Sequence, residues 1–387
     1  MIPYGRQDIT QADVDAVVEV LQSDFLTQGP MVPRFEQTVA DHVGAQYALA
    51  VNSATSALHI ACLALGLGPG DWLWTTPITF VASANCGLYC NARVDFVDID
   101  PRTYNLCPAA LERKLQQAER EGRLPKIVVP VHLCGQPCDM AAIHALAQIY
   151  GFKLIEDASH AIGGTYRGEF IGNCSYSDIT IFSFHPVKII TTAEGGMALT
   201  NDVELAARMA LYRSHGVTRA PALMTHESDG SWYYQQVLLG YNYRMTELQA
   251  ALGISQMARL DQYVARRHQL AHRYNNLLAA LPVTTPWQHP DGYSGLHLYV
   301  IRLQLDRISP KTHREVFESL RDQGIGVNLH YIPVHTQPYY LAMGFKEGNF
   351  PEAERYYSEA ISLPMYQTLK EVDQDDVLAA LTVALNA

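Results

Sequence analysis

Apolar positions along the chain fall into two alternating rhythms. Short runs rich in β-branched and aromatic residues predict buried strands at 47–51, just ahead of the stretch 74–82, and at 94–99, 126–131, 152–157, 179–182 and 197–200. Apolar residues spaced three and four apart predict helices over 10–22, 33–43 and 52–66, and helical patterns also follow the strands at 94–99 and 126–131. Such alternation predicts an α/β protein whose mostly parallel central sheet carries helices on both faces.

The rhythm changes after residue 218. Residues 219–235 have no clean period and read as a mobile loop. A helical pattern then runs from Thr246 to about Leu281, and a Pro/Gly-rich linker over 286–295 follows it. Beyond the linker the pattern predicts a strand over 297–303, a helix over 311–323 closed by Gly324, and a second strand over 325–329. The expected organisation is a large unit over 1–245, a long connecting helix over 246–285 and a smaller C-terminal α/β domain over 286–387. No internal repeat or low-complexity tract interrupts it.

Candidate chemistry concentrates on the turn between the strands at 179–182 and 197–200, which reads Ser-Phe-His-Pro-Val-Lys-Ile-Ile-Thr-Thr-Ala-Glu-Gly-Gly over 183–196. A lysine on a turn is ordinarily solvated. Here Pro186 stiffens the approach, Val187, Ile189 and Ile190 surround the Lys188 amine with apolar groups, and Gly195 and Gly196 allow another group close to the backbone. Desolvation disfavours the ammonium form, which makes Lys188 a candidate Schiff-base nucleophile. The strand at 152–157 ends in Asp157, and ligands of a doubly wound sheet bind at the carboxyl ends of its strands. A lysine for an aldehyde and a carboxylate for a pyridinium nitrogen are the two groups that pyridoxal 5′-phosphate (PLP) chemistry needs. Asn52 to Ile60 leads small hydroxyl residues straight into a helix, which is an N-cap or a phosphate cup, with the amides of Thr55 and Ser56 as candidates.

With these motifs in order, the chain resembles the DegT/DnrJ/EryC1/StrS sugar aminotransferases from Tyr4 to the last helix, which implies the type I aminotransferase fold. Within that family the 183–196 stretch is most similar to members that aminate C4 of a UDP-linked 4-keto-6-deoxy-N-acetyl hexose for pseudaminic acid, and the 4-amino-arabinose enzymes are near neighbours. The resemblance implies PLP on Lys188, with Asp157 at the ring nitrogen, Phe80 against the ring, His160 near the phenolic oxygen and Ser183 at the phosphate. It implies a homodimer in which Asn242 reaches the partner's phosphate, and Tyr4, Leu26, Thr27, His330 and Tyr331 bordering the sugar nucleotide. L-glutamate is the implied donor. A sugar dehydratase of the same fold would carry histidine in place of Lys188, and a regulatory homologue would be expected to lose Lys188 or Asp157. An enzyme acting at C3, or on a dTDP or GDP sugar, remains compatible with these residues. Arg213 reads equally well as a salt-bridge residue.

Composition narrows the classes further. A chain of 387 residues with 48% hydrophobic and 17% charged residues can bury a large core. Its net charge of −11 argues against nucleic acid or an anionic membrane surface as partner. No leader pattern and no apolar run near the ~20 residues of a membrane span is visible, so a cytoplasmic protein is expected. The seven cysteines read as reduced thiols, because Cys86/Cys90 and Cys134/Cys138 lack the spacing of a metal knuckle, and no metal site is expected.

Overall fold

The computed structural model describes residues 1–386. Strands β1 (Tyr47–Val51), β2 (Trp72–Thr75), β3 (Arg93–Phe96), β4 (Ile127–Val129) and β5 (Lys153–Asp157) precede a small hairpin of β6 (Thr165–Tyr166) and β7 (Glu169–Phe170). The chain then enters β8 (Ile179–Ser183) and β9 (Gly196–Thr200). Seven strands form one sheet in the order β1-β9-β8-β5-β4-β2-β3. Within it β3, β2, β4, β5 and β8 run parallel, and β9 runs against both of its neighbours. The sheet is therefore mostly parallel, as its continuous apolar runs predict.

Helices α1 (Gln11–Leu21), α2 (Met31–Val43), α3 (Ala54–Ala64), α4 (Ala82–Tyr89), α5 (Pro108–Glu121), α6 (Met140–Tyr150) and α7 (Val203–Arg213) are interleaved with these strands. Side chains alternate across the sheet, so each face has its own core. Ile127 and Val129 pack with Leu58, Ile60 and Met209 of α3 and α7, whereas Val128 packs with Leu115 and Ile143 of α5 and α6. Arg213 resolves as a tie between elements: it bonds Glu36 of α2 and the Ala50 carbonyl of β1.

Beyond the sheet a ribbon of β10 (Val217–Thr218) and β11 (Gln235–Gln236) closes the loop that the sequence left without a period. The helical pattern expected over 246–281 is broken. It forms α8 (Glu247–Met257) and α9 (Leu260–Leu278), with Arg259 leaving helical geometry between them. Arg259 Nη2 donates to buried Asp13 at 2.6 Å, and its Nε donates to Tyr263 at 2.7 Å. No Gly or Pro marks this break, because a distant carboxylate rather than local propensity stabilises it.

The second sheet joins β12 (Val283–Thr284), β14 (Tyr299–Leu303) and β15 (Ala360–Leu363) in the order β12-β14-β15, over a core that includes Leu270, Tyr274, Val316 and Leu381. The residues between β12 and β14 are not a free linker, since β13 (Gly292–Tyr293) pairs with β6 and Trp287 stacks under Arg102 at 3.9 Å. The strand expected over 325–329 is also corrected. That segment makes only isolated bridges, Ile325 to Ile2 and Asn328 to Ser362, and the ladder partners of β14 are β12 and β15. Its backbone is spent elsewhere: the Gly326 amide donates to Ile2 O at 2.7 Å and the Ile2 amide to Gly324 O at 2.9 Å.

Candidate active site

The turn between β8 and β9 is held as a rigid loop. The Phe184 amide donates to Gly195 O at 2.9 Å, the Thr192 amide to Phe184 O at 3.0 Å, and the Lys188 amide to His185 O at 2.9 Å. Ile189 and Ile190 sink into the core, which turns the Lys188 side chain toward a cavity of about 560 Å³. Gly196 has no room for a side chain, because a Cβ there would lie 2.4 Å from the Ala54 nitrogen. The group that the glycine admits is the start of α3, brought against the lysine turn.

Asp157 ends β5 on the same cavity floor. Its Oδ2 accepts from Ser83 Oγ at 2.6 Å and its Oδ1 from the Ser159 amide at 3.2 Å. Burial lowers the Lys188 pKa to about 8 despite the opposing charge of Asp157. The amine is thus uncharged several hundred times more often at pH 7 than a solvated lysine would be, roughly one time in ten.

Three histidines surround this floor, and all three are held neutral. His160 is pushed well below its ordinary value by burial, Lys188 and His330, and His330 falls to about 3 by burial and Lys188. His160 Nδ1 accepts from the Cys134 amide at 3.2 Å, so the neutral ring carries its proton on Nε2, which lies 3.1 Å from the Tyr331 hydroxyl. Tyr331 therefore receives that proton and is free to donate its own, and burial raises its pKa. The His297 ring lies 4.5 Å from that of His160 at a tilt of 47°, and its buried Nδ1 has no partner among the described residues. Tyr4 and Phe80 complete the wall, with the Tyr4 ring 5.3 Å from His330 and the Phe80 ring 6.3 Å from Tyr331.

The N-terminus of α3 forms the opposite side. Ser53 is the N-cap and its Oγ accepts from the Ser56 amide at 3.1 Å. Ser56 Oγ donates to Asn52 Oδ1 at 2.6 Å, so Ser56 spends its groups in the cap and does not line the cavity. Thr55 does line it, with Ser53 and Ala54, and the first amides of a helix have no intrahelical acceptor. Ser183, at the end of β8, also faces the cavity.

Of the sequence candidates, Tyr4, Thr55, Phe80, Asp157, His160, Ser183, Lys188, His330 and Tyr331 meet around one cavity. Leu26 and Thr27 lie exposed outside it on the segment before α2, where Leu26 O accepts from the Glu247 amide. Asn242 is exposed too, its backbone bridging Ser214. Sequence reasoning missed Thr79, Ser83, Glu194 and His297, which line the cavity as well. Only the four-residue spacing of Thr79 and Ser83 at the start of a helix offered a signal. Lys188 is the single lysine or arginine in the lining, against the carboxylates of Asp157 and Glu194. A desolvated amine, a fixed carboxylate and free helix-terminal amides fit the aldehyde, ring nitrogen and phosphate of PLP. Among the described residues no His/Cys/Asp/Glu cluster could hold a metal, and all seven cysteines are free thiols, five of them buried.

The model of the DegT/DnrJ/EryC1/StrS aminotransferase family matches residues 7–382. The chain is 42% identical over 383 residues to the spore coat polysaccharide biosynthesis protein SpsC of Bacillus subtilis, covering 98% of this chain and 96% of that protein. It is 37% identical over 374 residues to the UDP-4-amino-4,6-dideoxy-N-acetyl-beta-L-altrosamine transaminase of Campylobacter jejuni, covering 96% and 94%. Among solved structures it is similar to Helicobacter pylori PseC, an aminotransferase involved in the biosynthesis of pseudoaminic acid. That match has a TM-score of 0.90 and 30% identity, and it covers 100% of this chain and 99% of the other.

Proposed function

Because the chain belongs to the DegT/DnrJ/EryC1/StrS aminotransferase family, we propose that it moves the amino group of L-glutamate to C4 of a UDP-linked 4-keto-6-deoxy-N-acetyl hexose in pseudaminic acid biosynthesis. The chain is a PLP-dependent sugar aminotransferase with the type I fold. When bound, PLP supplies the electron sink for breaking a bond at the amino-acid Cα. Lys188 would hold the coenzyme, and an amine with a pKa near 8 is suited to taking a proton from one carbon and returning it to another. Asp157 would keep the ring nitrogen protonated, Thr55 and Ser183 would hold the phosphate, Phe80 would pack against the ring and His160 would meet the phenolic oxygen. Tyr4, His330 and Tyr331 wall the space left for the sugar. The keto acid leaves after the first half, and the sugar ketone accepts the nitrogen in the second.

The observation that carries this reading is the meeting of Lys188 and Asp157 on the floor of one cavity. Identity to the Campylobacter transaminase supports the sugar assignment. The higher identity to SpsC favours a second reading, a nucleotide-sugar aminotransferase supplying a different surface polysaccharide. The protein acts as a homodimer in the cytoplasm, its partner bringing Asn242 and the Leu26–Thr27 segment to the site. The sparse positive charge of the lining and the exposure of Trp232, Tyr234 and Leu239 support that arrangement. Among the described residues no helix is long and apolar enough to cross a membrane. The test offers the holoenzyme L-glutamate with a panel of UDP- and dTDP-linked 4-keto and 3-keto sugars. C4 amination of the UDP-N-acetyl substrate is expected, and turnover of 3-keto sugars alone would refute the assignment.

A further inference from the structure

Asp157 is not alone on the cavity floor. Ser83 Oγ lies 2.6 Å from Asp157 Oδ2, and Thr79 Oγ1 lies 2.7 Å from Ser83 Oγ. Both hydroxyl residues are almost fully buried, at 1% and 2% exposure, and both line the cavity. The direction of the chain follows from chemistry. An ionised carboxylate only accepts, so Ser83 gives its single proton to Asp157. Thr79 must then donate to Ser83, and the three groups form one oriented relay from Thr79 through Ser83 to Asp157. Charge-assisted bonds of this length are the strong ones, and each donor in such a chain polarises the next. The Ser159 amide binds the other carboxylate oxygen, so the plane of the carboxylate is fixed from both sides.

We propose that Thr79 and Ser83 are positioning residues that set the orientation of Asp157, and through it the protonation of the coenzyme ring. Neither residue transfers a proton in the reaction. The inference rests on Asp157 meeting the ring nitrogen and is independent of which sugar is used. Ser83 stands at the start of α4, immediately beyond Thr79 and Phe80, so one short segment would both cover the ring and hold its counter-charge. A purely structural role would leave the coenzyme's spectrum unchanged.

The test compares Ser83→Ala, Thr79→Val, Ser83→Thr and Asp157→Asn with the wild-type holoenzyme. It reads PLP retention on dialysis and the pH titration of the visible absorption of the lysine-bound coenzyme, with thermal melting of each apo-protein as the control for folding. A ring that holds its proton less firmly withdraws less charge from the lysine nitrogen, so the visible band should titrate at higher pH. Ser83→Ala is expected to weaken PLP retention about tenfold and to raise the spectral midpoint. Thr79→Val should move both about threefold less far in the same direction, and Ser83→Thr should restore them. If Asp157→Asn loses the wild-type titration while Ser83→Ala and Thr79→Val keep it, the seat of the ring stands and the relay falls. If Asp157→Asn itself titrates as wild type, the coenzyme seat is wrong and the proposal falls with it.

Discussion

The floor of the cavity and the exposed segments outside it are built by different rules. Lys188, Asp157 and His160 sit at strand ends or on turns pinned by backbone bonds, Ser83 sits in the first turn of α4, and burial lowers the pKa of both Lys188 and His160 before any ligand arrives. Leu26, Thr27, Trp232 and Asn242 lie open to solvent, and within the chain Asn242 offers only its backbone. The contrast separates buried groups that the chain itself holds in place from exposed segments that it does not cover. Preorganised charge in a desolvated pocket is where catalysis gains most.

The sharpest way to break this contrast is to remove the floor's nucleophile. Lys188→Ala should lower amino transfer by about a thousandfold or more and abolish the visible band on adding PLP. A variant that keeps the colour would show that another amine holds the coenzyme. Next in size is Gly196→Ala, whose Cβ would press on the start of α3. It should cost about 3 kcal/mol of stability in a denaturant titration, whereas an unchanged midpoint would mean that the two turns are not locked together.

The floor also predicts a pH dependence. Proton loss switches the Lys188 amine on, so the rate at which apo-protein takes up PLP should rise about tenfold between pH 7 and 9, with a midpoint near 8. A midpoint near 10.4 would return Lys188 to ordinary solvation. His160 and His330 stay neutral above the range into which they are pushed and should add no inflection near 6.5. The exposed segment predicts the smallest effect. Asn242→Ala should weaken activity about fivefold, the worth of one hydrogen bond. Mixing it with Lys188→Ala subunits should give more activity than the two separately, because each mixed dimer regains one intact site. If mixing adds nothing, the site is not shared.

How much of this was legible follows the same division. Lys188 and Asp157 could be read because each sits where an apolar strand run stops, and strand ends are local features. Ser83 could not be assigned, since its meaning depends on α4 turning it toward a carboxylate 74 positions away. His297 arrives from beyond α9 with no local mark at all. The break at Arg259 escaped for a similar reason: the residues around it favour helix, and only Asp13, 246 positions earlier, draws the chain out of it. Ser56 shows the reverse case. Its hydroxyl and amide suit a phosphate, but Ser53 three residues before uses the amide for the cap.

The stitching of residues 2–4 onto Gly324, Gly326 and Met365 imposes an order in time. Tyr4 belongs to the cavity wall, yet its tether is translated more than 300 residues after it. At 5–20 residues per second the first strip of chain must wait roughly 15–65 s for its seat. Ribosome-bound chains halted before Gly324 should leave that strip open to protease, and chains released past Met365 should not.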